Sequence, residues 1–218
     1  MNLHSMLQRR AAEGRPLRIG VIGAGKFGSM YLSQIPTTPG IHLVGIADLS
    51  PIRAKENLAR LGWKPDITGA ISLVDARKHG NTHLGDDWRA LVQHPEIDII
   101  VEATGDPIAA VEHALEAFRN GKHVVMVTVE ADAFCGPLLA KRAADAGVVY
   151  SLAYGDQPAL ICELVDWARA SGFTVTAAGR GHKWLPHYAQ STPETVWQHW
   201  GLNEEQAKRG GLNPKMFN

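Results

Sequence analysis

The stretch Leu17-Arg-Ile-Gly-Val-Ile-Gly-Ala-Gly-Lys-Phe-Gly28 constrains the fold more than any other part of the chain. Its apolar run, Ile19 to Ile22, reads as a buried strand. Gly23-x-Gly25-x-x-Gly28 follows at once and opens a helical pattern. Each glycine answers a different requirement. Gly23 permits the tight turn out of the strand. Gly25 leaves no side chain between the backbone and a pyrophosphate. Gly28 lets the new helix pack close to the sheet. The helix N-terminus then presents unpaired N–H groups and the positive end of its dipole to phosphate. Lys26 and Phe27 lie inside the motif and count with its glycines as cofactor-binding candidates. The next apolar run, His42 to Ala47, ends at Asp48, twenty residues beyond Gly28. That is where an acid that binds the adenosine ribose is expected, at the tip of the second strand. Strand, glycines, helix, strand and acid in this order point to a dinucleotide.

The rest of the chain alternates strand and helix patterns, which predicts an α/β fold with a doubly wound, mostly parallel sheet of the Rossmann kind. Ser50-Pro51 opens one helix, with serine as cap and proline at the first helical position. A helix over Ile67–Ala76 and a loop over Lys78–His83 are expected, then a short helix over Asp86–Gln93. Ile97–Glu102 reads as a buried strand, and Asp106-Pro107 caps a helix with Ile108, Val111, Leu115 and Phe118 on its inner face. His123–Thr128 is the next strand, followed by a helix from Ala133 to Ala146 and a strand over Val148–Ala153. An amphipathic helix from Pro158 to Ala170, with Leu160, Ile161 and Leu164 inward, and a strand over Phe173–Ala178 complete the pattern. The expected organisation is a lead-in helix over residues 1–16, with Leu3, Met6 and Leu7 on one side. A dinucleotide-binding domain over 17–155 and the start of a second α/β substrate domain over 156–218 follow. That second domain is expected to be incomplete.

Composition narrows the partners. Of 218 residues, 45% are hydrophobic and 20% charged, and 22 basic residues balance 22 acidic ones. A net charge of zero gives no electrostatic footprint for nucleic acid or an anionic membrane. No apolar run approaches the length of a membrane span, and no signal core follows the polar first fifteen residues. Two cysteines, Cys135 and Cys162, build no disulfide framework. A cytoplasmic location is the default expectation, with a small-molecule substrate and further copies of the chain as partners. His182, His187 and His199 lack metal-ligand spacing, and His79 and His83 read as solvated, so no metal is expected.

Glu102-Ala-Thr-Gly105 closes a parallel strand, where open α/β sheets bind ligands. Small residues there let a ribose or nicotinamide approach the backbone, so Glu102, Ala103, Thr104 and Gly105 join the cofactor-binding candidates. The alternative is a plain strand-to-helix turn capped by Asp106. Taken with Ile19–Gly28 and Asn120-Gly-Lys-His-Val-Val125, this segment resembles the nucleotide domain of homoserine dehydrogenase-like oxidoreductases. Val127-Thr-Val-Glu-Ala-Asp132 and Ala153-Tyr-Gly-Asp-Gln-Pro158 are similar to the branch that carries a C-terminal SAF domain, which includes deoxyxylulose-phosphate reductoisomerase-like enzymes. That resemblance implies NADPH and a small polar, phosphorylated carbonyl substrate on the route to isoprenoid precursors. Where homoserine dehydrogenases carry Asn-Lys this chain has Thr128-Val129, and the Glu-Lys-Pro of sugar-type oxidoreductases is missing. The SAF region itself lies outside these residues.

A carbonyl reductase must stabilise an alkoxide as hydride arrives and deliver a proton to it. Lys183, in the cationic run Gly179-Arg-Gly-His-Lys183, and Asp156 are the catalytic candidates. Gln157, Arg180 and His182 are the candidates for binding substrate, Arg180 through a bidentate grip on phosphate. Asp156 has an alternative use as the cap of the following helix. Asp48 favours NAD, because a carboxylate repels a 2′-phosphate. Ser50 and Arg53 in the next turn offset that, and the cofactor reading is NADP, with NAD as the other possibility. The competing readings are a homoserine- or aspartate-type dehydrogenase and a non-catalytic NAD(P)-binding domain.

Overall fold

A computed structural model describes residues 2–155, 157–179, 181 and 184–209. Contacts divide the chain into two units, Met1–Ala159 and Leu160–Asn218.

The first unit holds a six-stranded parallel sheet: β1 (Leu17–Ile22), β2 (Ile41–Ala47), β3 (His83–Gly85), β4 (Ile99–Glu102), β5 (His123–Met126) and β6 (Tyr150–Leu152). Its spatial order is β3-β2-β1-β4-β5-β6. The order reverses between β1 and β4, which pair from Ile19 with Ile99 to Ile22 with Glu102. A reversal of this kind leaves a crevice at the carboxyl ends of the two central strands.

Side chains alternate across the sheet and build two apolar layers. On one side Ile19, Val21, Leu43, Ile46 and Val101 pack with Leu32 of α2 (Lys26–Gln34) and with Ala54 and Leu58 of α3 (Pro51–Arg60). The Trp63 indole N–H closes this layer by donating to the Leu32 carbonyl at 3.0 Å. On the other side Ile22, Val44, Ile100, Val124 and Met126 pack with α5 (Trp88–Gln93), α6 (Pro107–Arg119) and α7 (Val129–Asp145). The lead-in helix α1 (Leu3–Ala12) forms with no buried residue, and Leu3 and Met6 face solvent.

Several local expectations give way. The helix expected over Ile67–Ala76 starts later, as α4 (Leu73–His79), because the Ser72 hydroxyl caps it by accepting the Asp75 N–H. The expected loop ending at His83 runs into β3, an edge strand paired with β2 from Gly45 to Ala47. His83 is therefore not solvated: it is half-buried, with Nδ1 3.0 Å from the Ala70 carbonyl. In α6 the inner face is Ala110, His113, Ala114, Ala117 and Phe118, while Ile108 is left exposed. Small alanines let this helix sit close to the sheet, and of the expected inner residues Phe118 is buried while Val111 and Leu115 pack, partly buried, against the same core. Helix α7 starts at Val129, ahead of the expected Ala133. It is kinked at Cys135, whose backbone is non-helical, just before Pro137.

In the second unit α8 (Gln157–Ala170), which spans the boundary, leaves Leu160 and Leu164 exposed, against the expected inward face, while Ile161 is half-buried. No strand forms over Phe173–Ala178; these residues are mostly exposed, with no strand partner among the described residues. A strand needs a neighbour to satisfy its backbone. The unit's small core is Val196, Trp197 and Ala207, packed with Trp200 and Leu202 around α9 (Val196–His199) and α10 (Glu204–Arg209).

Candidate functional site

The three glycines of the first turn meet three different surroundings. Gly23 has φ +95°, and a Cβ there would lie 2.7 Å from the Ala103 carbonyl oxygen. At Gly28 a Cβ would lie 2.4 Å from the Gly23 carbonyl oxygen, so only glycine lets α2 fold back over the turn. At Gly25 a Cβ would meet nothing within 4 Å. Gly23 and Gly28 thus serve packing, and Gly25 faces open space at the N-cap of α2. The side chains of Lys26 and Phe27 lie outside the described residues.

Asp48 shapes the same turn. One carboxylate oxygen accepts the Ala24 N–H at 2.9 Å and the other accepts the Ser50 N–H at 2.8 Å. Asn57 of α3 adds a bond from its side-chain amide to the Ala24 carbonyl at 3.2 Å. The glycine turn, the end of β2 and the start of α3 are thereby tied through one acid. Ser50 caps α3, and Arg53 stands in its first turn, exposed, with no hydrogen-bond or ion-pair partner for its guanidinium among the described residues.

These residues border a cleft of about 400 Å³ at the carboxyl edge of the sheet. Gly23, Gly25, Asp48 and Arg53 line it, with Ala103 and Thr104 from the turn after β4 and with Asp86, Trp88, Glu112 and His113. A second hollow of about 700 Å³ opens on the α2 side of the sheet, lined by Gly28, Tyr31, Ala103, Val127 and Tyr154 among others. Ala103 borders both, so the glycine turn lies between two hollows. Burial pushes the Tyr31 phenol up to about 12, which keeps it neutral there.

Glu102 departs from its expected place at the cofactor. Its side chain is wholly buried beneath the loop. Oε1 accepts from the Thr104 hydroxyl at 2.6 Å and faces His113 Nδ1 at 3.2 Å, and Oε2 accepts from the Thr128 hydroxyl. An isolated buried carboxylate is costly, and these partners compensate it. Glu102 therefore holds the 103–105 loop in shape, while Ala103 and Thr104 meet the cleft. Gly105 is exposed, and its N–H is held by the Thr128 hydroxyl at 3.0 Å.

Trp88, Asp86, Glu112 and His113 escaped the sequence reading. Asp106, Ala109, Glu112 and His113 share one face at helical spacing, which was the available signal. The proposed chemistry of the second unit cannot be placed in the same way. Asp156, Arg180, His182 and Lys183 lie outside the described residues, as does the side chain of Gln157. Among the described residues of the second unit, Tyr188 stacks on Trp200 at 4.5 Å, and the Ser191 hydroxyl lies 2.9 Å from His199 Nδ1. Among the described residues no helix is long and apolar enough to cross a membrane.

Comparison with known proteins adds the family. The profile described as "Homoserine dehydrogenase, NAD binding domain" matches residues 23–152, more than half of the chain. The profile described as "Oxidoreductase DRL, catalytic domain" matches residues 155–218. A homoserine dehydrogenase of Methylobacillus glycogenes is 32% identical over 116 residues, which is 51% of this chain and 24% of that protein. The chain thus spans about a quarter of that relative's length. Among solved structures, an NAD-binding oxidoreductase from Klebsiella pneumoniae is 22% identical with a TM-score of 0.49, over 72% of this chain and 39% of its own. A homoserine dehydrogenase from Thiobacillus denitrificans is 23% identical with a TM-score of 0.45, over 63% of this chain and 29% of its own.

Proposed function

Since the chain belongs to the family of homoserine dehydrogenase NAD-binding domains, we propose that it is the cofactor-binding part of an NADP(H)-dependent oxidoreductase. The observation that carries this reading is the open space at Gly25, set at the N-cap of α2 where the strand order reverses. A cradle that a Cβ would fill, beside unpaired helix N–H groups, suits a pyrophosphate. The nicotinamide cofactor supplies or accepts a hydride when bound. Gly25 and the first turn of α2 hold the pyrophosphate, Thr104 and Ala103 flank it, and the two hollows take its two nucleosides. Both oxygens of Asp48 are already engaged by backbone amides, and Arg53 has no competing partner among the described residues. That pairing favours a cofactor carrying a 2′-phosphate, gripped by the guanidinium.

The substrate proposed is a small polar, phosphorylated carbonyl compound, handled as a deoxyxylulose-phosphate reductoisomerase-like enzyme would handle it. The profile described as an oxidoreductase catalytic domain covers 155–218, the segment that carries the catalytic candidates. In this reading Lys183 delivers the proton to the developing alkoxide, Asp156 and Gln157 bond substrate hydroxyls, and Arg180 and His182 bind the phosphate. A second reading, homoserine dehydrogenase, is favoured by the 32% identical relative. Parallel assays test both: NADPH consumption with deoxyxylulose phosphate, and NADP reduction with homoserine. Turnover of the first supports the reductoisomerase-like reading, and turnover of homoserine alone replaces it with the second. Failure of the chain to bind any nicotinamide dinucleotide refutes both.

A further inference from the structure

The parallel sheet is finished on one face only. β4 and β5 are interior strands. Towards α6 and α7, their side chains Ile100, Val124 and Met126 are fully buried. On the other face Ile99, Val125 and Val127 stay half-buried and line the hollow of about 700 Å³. A parallel sheet is ordinarily covered on both faces, because its strands are apolar on both. The strands order this hollow along its length. Leu17, Ile19 and Val21 follow one another on β1, and Ile99 and Val101 run beside them on β4. A nucleoside needs only the mouth at Gly28, Ala103 and Val127, past the strand ends. The groove below it, about 13 Å from Leu17 to Val21, is apolar and open. Helix α1 forms one bank with Leu3, Met6 and Leu7, which is why it has an apolar side yet buries nothing.

The chain carries an element that fits such a groove. Helix α8 has an apolar stripe at helical spacing: Leu160, Leu164 and Trp167, flanked by Ile161, Val165 and Ala168. Leu164 is 65% and Trp167 64% exposed, and no described residue of the helix is buried. From Leu160 to Ala168 the stripe is about 12 Å long, close to the length of the groove. The charges agree as well. Helix α1 carries Arg9 and Arg10 and no acid, whereas α8 carries Glu163 and Asp166 against Arg169 alone. Arg10 lines the groove, and its buried Nε has no hydrogen-bond partner among the described residues. Exposed apolar surfaces of this extent mark sites of association.

We propose that α8 of a second copy fills this groove and that the exchange is reciprocal, each copy covering the open sheet face of the other. A two-fold pair uses the helix–groove contact twice. That brings the buried surface into the roughly 1,200–2,000 Å² of stable dimers. Trp167 is the anchor, since a large aromatic contributes the most area per residue. Association of this kind requires no ligand in the cleft.

Leu164→Glu on the helix and Met30→Glu on the groove wall test it. Both side chains are more than half exposed, and far-UV circular dichroism shows whether each variant folds. Leu164→Ser and Met30→Ser take their place where a glutamate unfolds the chain. Sedimentation equilibrium is expected to show a dimer for the wild type and association weaker by about tenfold or more for each variant, because either change puts a charge in the same apolar contact. Mixed, the two variants regain one intact contact and associate more tightly than either alone. A wild type that is monomeric at about 100 μM overturns the proposal, as does a mixture that gains nothing. A dimer that survives either substitution overturns it too, and survival of Met30→Glu alone would show the α8 helices pairing with each other.

Discussion

Substituting Gly25 and Gly28 separately divides the cofactor turn into a binding part and a folding part. At Gly25 the backbone is extended, with φ −72°, and an added Cβ meets nothing within 4 Å. Gly25→Val therefore leaves the fold intact and costs about 1 kcal/mol or less, from the loss of glycine as the N-cap of α2. Its side chain occupies the approach to the pyrophosphate, and NADPH affinity falls by about a hundredfold or more. At Gly28 an added Cβ lies 2.4 Å from the Gly23 carbonyl oxygen, roughly 1 Å inside ordinary contact. The obstacle is backbone, so α2 must lift off the strand end. Overpacking of this kind costs about 1–3 kcal/mol. In a unit of this size that lowers the melting temperature by about 2–12 °C. Thermal circular dichroism and calorimetric titration of both variants make the comparison. A Gly25→Val chain that melts as early as Gly28→Ala, or that binds NADPH like the wild type, refutes the division of roles.

Arg53→Ala weakens NADPH binding by about tenfold and leaves NADH within about twofold, because only the 2′-phosphate loses its cation; parallel titrations check this. Glu102→Ala leaves the buried Thr128 hydroxyl, the Thr104 hydroxyl and His113 Nδ1 without their carboxylate partner, and lowers stability by about 3 kcal/mol in urea unfolding. Asp98 is also sensitive to pH. Burial pushes its carboxyl up, but bonds from the Arg18 guanidinium and backbone N–H outweigh this and hold it below the usual range. A depressed carboxyl stabilises the fold above its unfolded-state value near pH 4 and loses that contribution as pH falls further. Urea unfolding of the wild type against Asp98→Asn therefore converges on acidification below pH 4, and a gap that widens there contradicts the assignment.

The parallel sheet and the glycine turn were legible because their signals are local. A run of apolar residues, a glycine whose Cβ would strike backbone and an acid at the next strand tip all lie within about thirty residues. Edge strand β3 was not legible: three residues carry no periodicity, and its pairing depends on Thr82 donating to the distant Leu43 carbonyl. The part of the cleft lined by α6 was hidden for a similar reason. His113 looks like any polar residue in a helix until the fold brings it against Glu102, eleven positions earlier. Glu102 itself was misread because a carboxylate at a strand end suggests a ligand contact. Burial reverses that reading, since two hydroxyls and an imidazole consume its acceptor capacity. In the second unit, β propensity alone predicted a strand over Phe173–Ala178, and no described residue pairs with it.

The bracing of the glycine turn by Asp48 bears on how a guest would enter. With Ala24 and Ser50 clasped by a single carboxylate, the receiving surface is pre-organised by the chain's own bonds. The conformational entropy of that loop is surrendered during folding rather than on association. Arrival of a dinucleotide should therefore resemble docking onto a rigid seat more than closure of a pliant one.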